Sequence, residues 1–93
     1  MVKHIVLFKL KDKKDIPLAV ETLKGMRGKI DGLIDIEVGQ DFLYSERSYD
    51  IGLICTLQDR AALDFYQEHP VHQPVKEIMH KIRESSIAVD FEC

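Results

Sequence analysis

Long apolar runs are missing from this sequence. No stretch approaches the roughly 18 apolar residues of a membrane-spanning helix, which excludes a helical span. Met1-Val2-Lys3-His4 leads straight into a strand-like pattern, with none of the basic start, apolar centre and small-residue cleavage site of a secretory leader. A cytoplasmic location is therefore expected, with no membrane partner. Cysteine is scarce: Cys55 falls in a hydrophobic run and Cys93 is the last residue, so the pair makes neither a disulfide framework nor a metal-ligand spacing. Basic patches are also lacking. Lys9, Lys11, Lys13 and Lys14 are the densest cluster, but Asp12 and Asp15 interrupt it and the net charge is −3, so nucleic acid is not an expected partner. Repeats and low-complexity linkers are absent, and 93 residues leave room for one hydrophobic core, a single domain over residues 1–93.

What is present is strongly patterned. Residues 2–11 alternate, with Val2, His4, Val6, Phe8 and Leu10 on one face and Lys3, Ile5, Leu7, Lys9 and Lys11 on the other, so the centre of this strand is apolar on both sides. Asp15 is an expected N-cap and Pro17 fits the first turn of a helix whose stripe is Ala19, Leu23, Met26 and Ile30, ending at Asp31-Gly32. Leu33 to Gly39 alternates as a half-exposed strand near an edge, with Ile34, Ile36 and Val38 on one side. Gln40 to Ser48 is an exposed connection, with Phe42 and Tyr44 expected to tuck against the body. Tyr49 to Leu57 is the most apolar strand and belongs near the middle of the sheet.

Asp59 caps a second helical region, which Pro70 breaks by biasing His69 away from the α conformation. Val75, Ile78, Met79 and Ile82 mark a further helical stripe, with Lys76, Glu77, Lys81 and Arg83 pointing away and His80 solvated. Ser85-Ser86 ends it, and Ile87, Val89 and Phe91 form the inward side of a last strand. The resulting order, β-α-β-β-α-β, is an α+β fold, the ferredoxin-like plait. Two helices cover one face of its sheet, and Ile5 and Leu7 on the other need a second cover, which a second copy of the same sheet supplies. A homodimer packed sheet to sheet through Ile5 and Leu7, closing a dimeric α/β barrel, is expected.

Tyr66-Gln67-Glu68-His69-Pro70-Val71-His72 crowds two of the four histidines and one of the three tyrosines into one segment. Imidazole and phenol can exchange protons or fix a polar ligand, so Tyr66 and His72 are the candidate catalytic pair. A cavity between sheet and helices would be lined by His4, Val6, Phe8, Tyr66, His69 and His72. The plain alternative makes His69 a cap, and Tyr66 and His72 half-exposed amphipathic side chains. His69 and His72 are three apart, but Pro70 interrupts the spacing that would place them side by side, so no metal site is expected.

His4 with Ile5-Val6-Leu7-Phe8-Lys9, Val38-Gly39-Gln40-Asp41, Ser48-Tyr49-Asp50, the segment from Tyr66 to His72, and Val89-Asp90-Phe91 together resemble the stress-responsive dimeric α/β-barrel (Dabb) family over essentially the whole chain. The resemblance implies a ferredoxin-like protomer in a dimeric barrel, a stress-associated role, and no cofactor. A plant member closes a linear polyketide by intramolecular aldol condensation, and its catalytic tyrosine and histidine correspond to Tyr66 and His72, with counterparts also of His4 and His69. Arg83 stands where that cyclase has a large aromatic. The first function expected is binding of a small apolar or aromatic ligand; the alternative is a cofactor-independent cyclase or lyase acting through Tyr66 and His72.

Overall fold

The computed structural model describes all residues from Met1 to Cys93. Four strands, β1 (Val2–Leu10), β2 (Leu33–Gln40), β3 (Ile51–Leu57) and β4 (Arg83–Glu92), form one antiparallel sheet in the order β2-β3-β1-β4. Three helices, α1 (Ile16–Lys24), α2 (Arg60–Glu68) and α3 (His72–Ile82), cover one face. This is the expected α+β plait, with β1 and β3 at the centre and β2 at an edge.

Alternation decides the layers. Every second residue of β1, namely Val2, His4, Val6, Phe8 and Leu10, is buried, and Ile36, Ile51, Leu53, Cys55 and Leu57 complete the sheet's contribution to the core. Ala19, Leu23, Tyr66, Val75 and Met79 close over them from the helices. Burying such side chains contributes about 1.5–3 kcal/mol each. Asp59 caps α2, its Oδ1 accepting the Ala62 N–H at 2.8 Å.

Several local expectations are corrected. The first helix ends at Lys24, not at Ile30, because Gly25 is its C-cap and Gly28 takes φ +74°. Met26 and Ile30 stay buried on the turns that follow. Asp15 occupies the N-cap position without a side-chain bond, while Asp12 caps the preceding single turn through the Lys14 N–H. An irregularity between Leu33 and Asp35 leaves Ile34 half exposed, off the face used by Ile36. Phe42 and Tyr44 project outward, 86% and 63% exposed, instead of tucking in. The last strand begins at Arg83, so Ser85 and Ser86 lie within it.

The largest correction concerns Ile87, Val89 and Phe91. They pair with Leu7, Ile5 and Lys3, so they lie on the face without helices, and each stays about half exposed. Ile54, opposite Ile5 on β3, joins them. The open face therefore carries a continuous apolar strip across three strands, broader than Ile5 and Leu7 alone.

Of the five glycines, Gly32, in the loop before β2, leaves the least room for a side chain. Its φ is +86°, and a Cβ added there would lie 2.8 Å from the Cβ of Ala62 on α2. Gly32→Ala is expected to lower stability by roughly 2–3 kcal/mol, combining left-handed backbone cost with overpacking. In an Ala62→Gly background the same change should cost clearly less, since only the backbone part remains. Chemical denaturation of the four proteins measures the coupling; equal costs in both backgrounds would show that the close approach does not matter.

Candidate functional site

β1, β3, β4 and all three helices line a pocket of about 310 Å³ between sheet and helices. Val6, Phe8 and Leu53 form its floor, Leu23, Val75 and Met79 its apolar walls, and His4, Tyr66 and His72 its polar interior. Five of the six side chains expected at a cavity, His4, Val6, Phe8, Tyr66 and His72, meet here. His69 does not. It lies with Phe65 and Pro70 over a separate depression, its ring edge-on to Phe65 at 5.1 Å and its Nδ1 accepting the Val71 N–H at 3.0 Å. That bond makes it a cap for the chain reversal, and it lies outside the pocket.

Tyr66 and His72 stack, with ring centres 4.3 Å apart. His72 Nδ1 lies 3.0 Å from the carbonyl oxygen of Tyr66. A carbonyl only accepts, so Nδ1 carries the proton and Nε2 of a neutral ring is left as the acceptor. Burial pushes the His72 pKa down to about 4; the Tyr66 carbonyl opposes this, while Lys76, His4 and His69 add to it. Tyr66 is fully buried, and burial drives its phenol well above the ordinary range, assisted by Cys55. Cys55, itself pushed up to about 11 by burial, donates its thiol to the Tyr66 hydroxyl oxygen at 3.6 Å. The phenol therefore stays protonated and keeps its own O–H to donate.

His4 lies edge-on to Tyr66 at 5.7 Å. Its Nδ1 is hydrogen-bonded to Oδ1 of Asp90, the residue opposite it in the β1–β4 register. The carboxylate accepts, so it fixes the Nδ1–H tautomer and the orientation of the ring. The arrangement thus offers a neutral base, a neutral donor and an oriented imidazole around an apolar space, which suits binding a polar group or moving a proton next to a carbonyl.

Sequence reasoning missed four residues here. Asp90 was visible only as part of a strand, since its link to His4 spans 86 positions. Lys76 and His80 are exposed, as expected, yet with the half-buried Arg83 they also line the mouth of the pocket. Their spacing, i, i+4 and i+7 beginning four residues after His72, was the available signal.

The depressed histidine links to stability. The folded protein binds fewer protons than the unfolded chain between the unfolded value of 6.5 and the folded value near 4, so stability rises with pH across that window and is lost as pH falls through it. The expected loss for wild type is on the order of 2 kcal/mol beyond that of His72→Asn, which retains a donor for the Tyr66 carbonyl but cannot titrate. Urea midpoints from pH 7 to pH 4 measure the difference; parallel profiles for the two proteins would contradict a buried, neutral His72.

Residues 2–93 match the family model of the Stress responsive A/B Barrel Domain, Dabb. An uncharacterized protein of Streptomyces coelicolor is 32% identical, the alignment covering 78% of this chain and 80% of that protein. A dimeric protein of unknown function and ferredoxin-like fold from Bacteroides fragilis superposes with a TM-score of 0.86 at 32% identity, covering 99% of this chain and 95% of that one. A dimeric ferredoxin-like protein of unknown function from Jannaschia sp. gives 0.80 at 29% identity, covering 99% and 98%. On its residues and on its fold, the chain belongs to the stress-responsive A/B barrel domain family.

Proposed function

We propose that this protein is a homodimer that binds a small apolar or aromatic molecule in the pocket between sheet and helices of each protomer. The observation that carries this reading is the convergence of His4, Tyr66 and His72 on one pocket whose floor and inner walls are Val6, Phe8, Leu23, Leu53, Val75 and Met79. Such a site, apolar with a few convergent polar groups, is the usual form of a small-molecule site. The homodimer reading draws on the open sheet face. Ile5, Leu7, Ile54, Ile87, Val89 and Phe91 form an apolar strip there, and two structural relatives with 29–32% identity are dimeric. A two-fold contact between two such strips buries both. A cytoplasmic role in stress physiology fits the family and the lack of any helix long and apolar enough to cross a membrane.

A second reading is favoured by one specific observation, the hydrogen bond that leaves Nε2 of a neutral His72 as the acceptor beside a protonated Tyr66. In a cofactor-independent cyclase or lyase, Nε2 would take a proton from carbon next to a carbonyl. The resulting enolate carbon attacks a second carbonyl of the same molecule, and the Tyr66 O–H donates to the oxygen where charge develops. The proton on His72 returns to the new alkoxide, so charge and atoms balance.

Two experiments test these readings. Sedimentation equilibrium at micromolar concentration should give twice the 10.7 kDa chain mass, and the double change Ile5→Asp with Val89→Asp should return a folded monomer; a monomeric wild type would sink the dimer. A thermal-shift panel of alkylbenzenes, phenols and short fatty compounds should contain members that raise Tm progressively with concentration, an effect of about 2.7 kcal/mol at a hundred times Kd. Val75→Trp, which fills the pocket, should erase that rise. A panel without effect removes the pocket reading. Turnover cut about a hundredfold by Tyr66→Phe and by His72→Asn alike would establish the second reading, and unchanged rates would dismiss it.

A further inference from the structure

Charge is distributed unevenly around the pocket. Its 14 lining residues include Lys76, Arg83 and three histidines but neither aspartate nor glutamate, in a chain with 16 acidic side chains and 13 basic ones. Lys76, His80 and Arg83 follow one another along α3 and its C-cap at the spacing of a single helical face. Of the eleven other lysines and arginines, four have carboxylate partners: Lys13 with Asp50, Lys14 with Asp12, Arg27 with Asp35, Arg60 with Glu92. Lys76 and Arg83 have none within ion-pair distance. Lys76 instead donates to the carbonyl of Gln67. Arg83 donates through Nη1 to Ser86 Oγ at 2.8 Å and through Nη2 to His80 Nδ1 at 3.2 Å. Glu77, next to Lys76 in sequence, does not line the pocket; it lies on a surface depression that Lys76 and His80 also border.

Two cations without counter-charge at the rim of an apolar pocket create a local positive potential that favours an anion there and nowhere deeper. A guanidinium with donors to spare matches the two oxygens of a carboxylate, and an ammonium adds a second charge-assisted bond. Below the rim the walls are Leu23, Val75 and Met79, which offer nothing to a charge and much to a hydrocarbon.

We propose that the ligand of this pocket is an amphiphilic carboxylate, its anionic head held by Arg83 and Lys76 and its aromatic or alkyl body lying along Leu23, Val75 and Met79. The inference rests on the pocket reading above and narrows it from any small apolar molecule to an organic acid. It also orients the ligand. With the carboxylate at the rim, the carbon skeleton runs inward towards His72 Nε2 and the Tyr66 hydroxyl.

Calorimetric titration of the intact protein with para-butylbenzoate and with para-butylbenzyl alcohol tests this, because the two share a body and differ in the charged head. The acid should bind about tenfold more tightly or better at low salt, with the preference shrinking as salt screens it. In Arg83→Gln and Lys76→Gln the ratio of the two affinities should fall, and in the double variant it should approach one. Circular dichroism confirms that these surface variants fold. Equal affinities in wild type overturn the carboxylate inference while leaving the pocket reading intact. A preference undiminished in the double variant also overturns it, since the anion would then be held elsewhere. Binding of neither compound removes the pocket reading, and this inference with it.

Discussion

A single peptide junction places the chemistry of this protein. Residues six apart in an unbroken helix differ by about 120° around the axis, so Tyr66 and His72 could not both face the sheet. Pro70 disfavours the α conformation at His69, which is extended at ψ 138°, and the chain restarts as α3 at His72. Breaking and restarting brings the phenol and the imidazole into a stack. The break leaves few bare groups: the His72 N–H donates to the His69 carbonyl at 2.9 Å and the Val71 N–H to the His69 ring. His69 thereby serves the pocket without touching it.

Burial then sets the protonation of everything inside the break in the same direction. His72 is driven down, Tyr66 and Cys55 are driven up, and loss of solvent is the largest cause for each. All three are neutral near pH 7, so the part of the interior built by Tyr66, His72 and Cys55 holds hydrogen-bonding capacity without fixed charge. Carboxylate and cationic side chains stand at the periphery, Asp90 beyond His4 and Lys76 and Arg83 on the rim. Apolar walls and neutral polar groups can coexist in a small domain because the charges stay where water reaches them.

Much of this was legible in the residues. Strict alternation in β1 identified both faces of the central strand, and the His-Pro step marked the helix break, because both are local effects of backbone geometry. The site's core was legible for the same reason: His4, Val6 and Phe8 share one strand face, and Tyr66 and His72 flank the break. The failures were of two kinds. Ile87, Val89 and Phe91 alternate correctly, but alternation alone cannot say which face is covered, and the pairing with Lys3, Ile5 and Leu7 decides it. Asp90 and the cationic rim depend on contacts between segments far apart in the chain. Their charged side chains read as solvent-facing until β4 and α3 are placed against β1 and α2.

The pairing of β1 with β4 has a consequence for how the site comes into being. β1 lies between β3 and β4, and its partners in β4 are the last residues of the plait. During synthesis His4 emerges early and waits for nearly the whole chain before Asp90 can reach it. The hydrophobic strand therefore spends that interval half paired, and contacts of such long sequence separation form slowly. The pocket takes Arg83 and Ser86 from the fourth strand and the Asp90 that orients His4, so its lining is complete only once that strand has paired with the first.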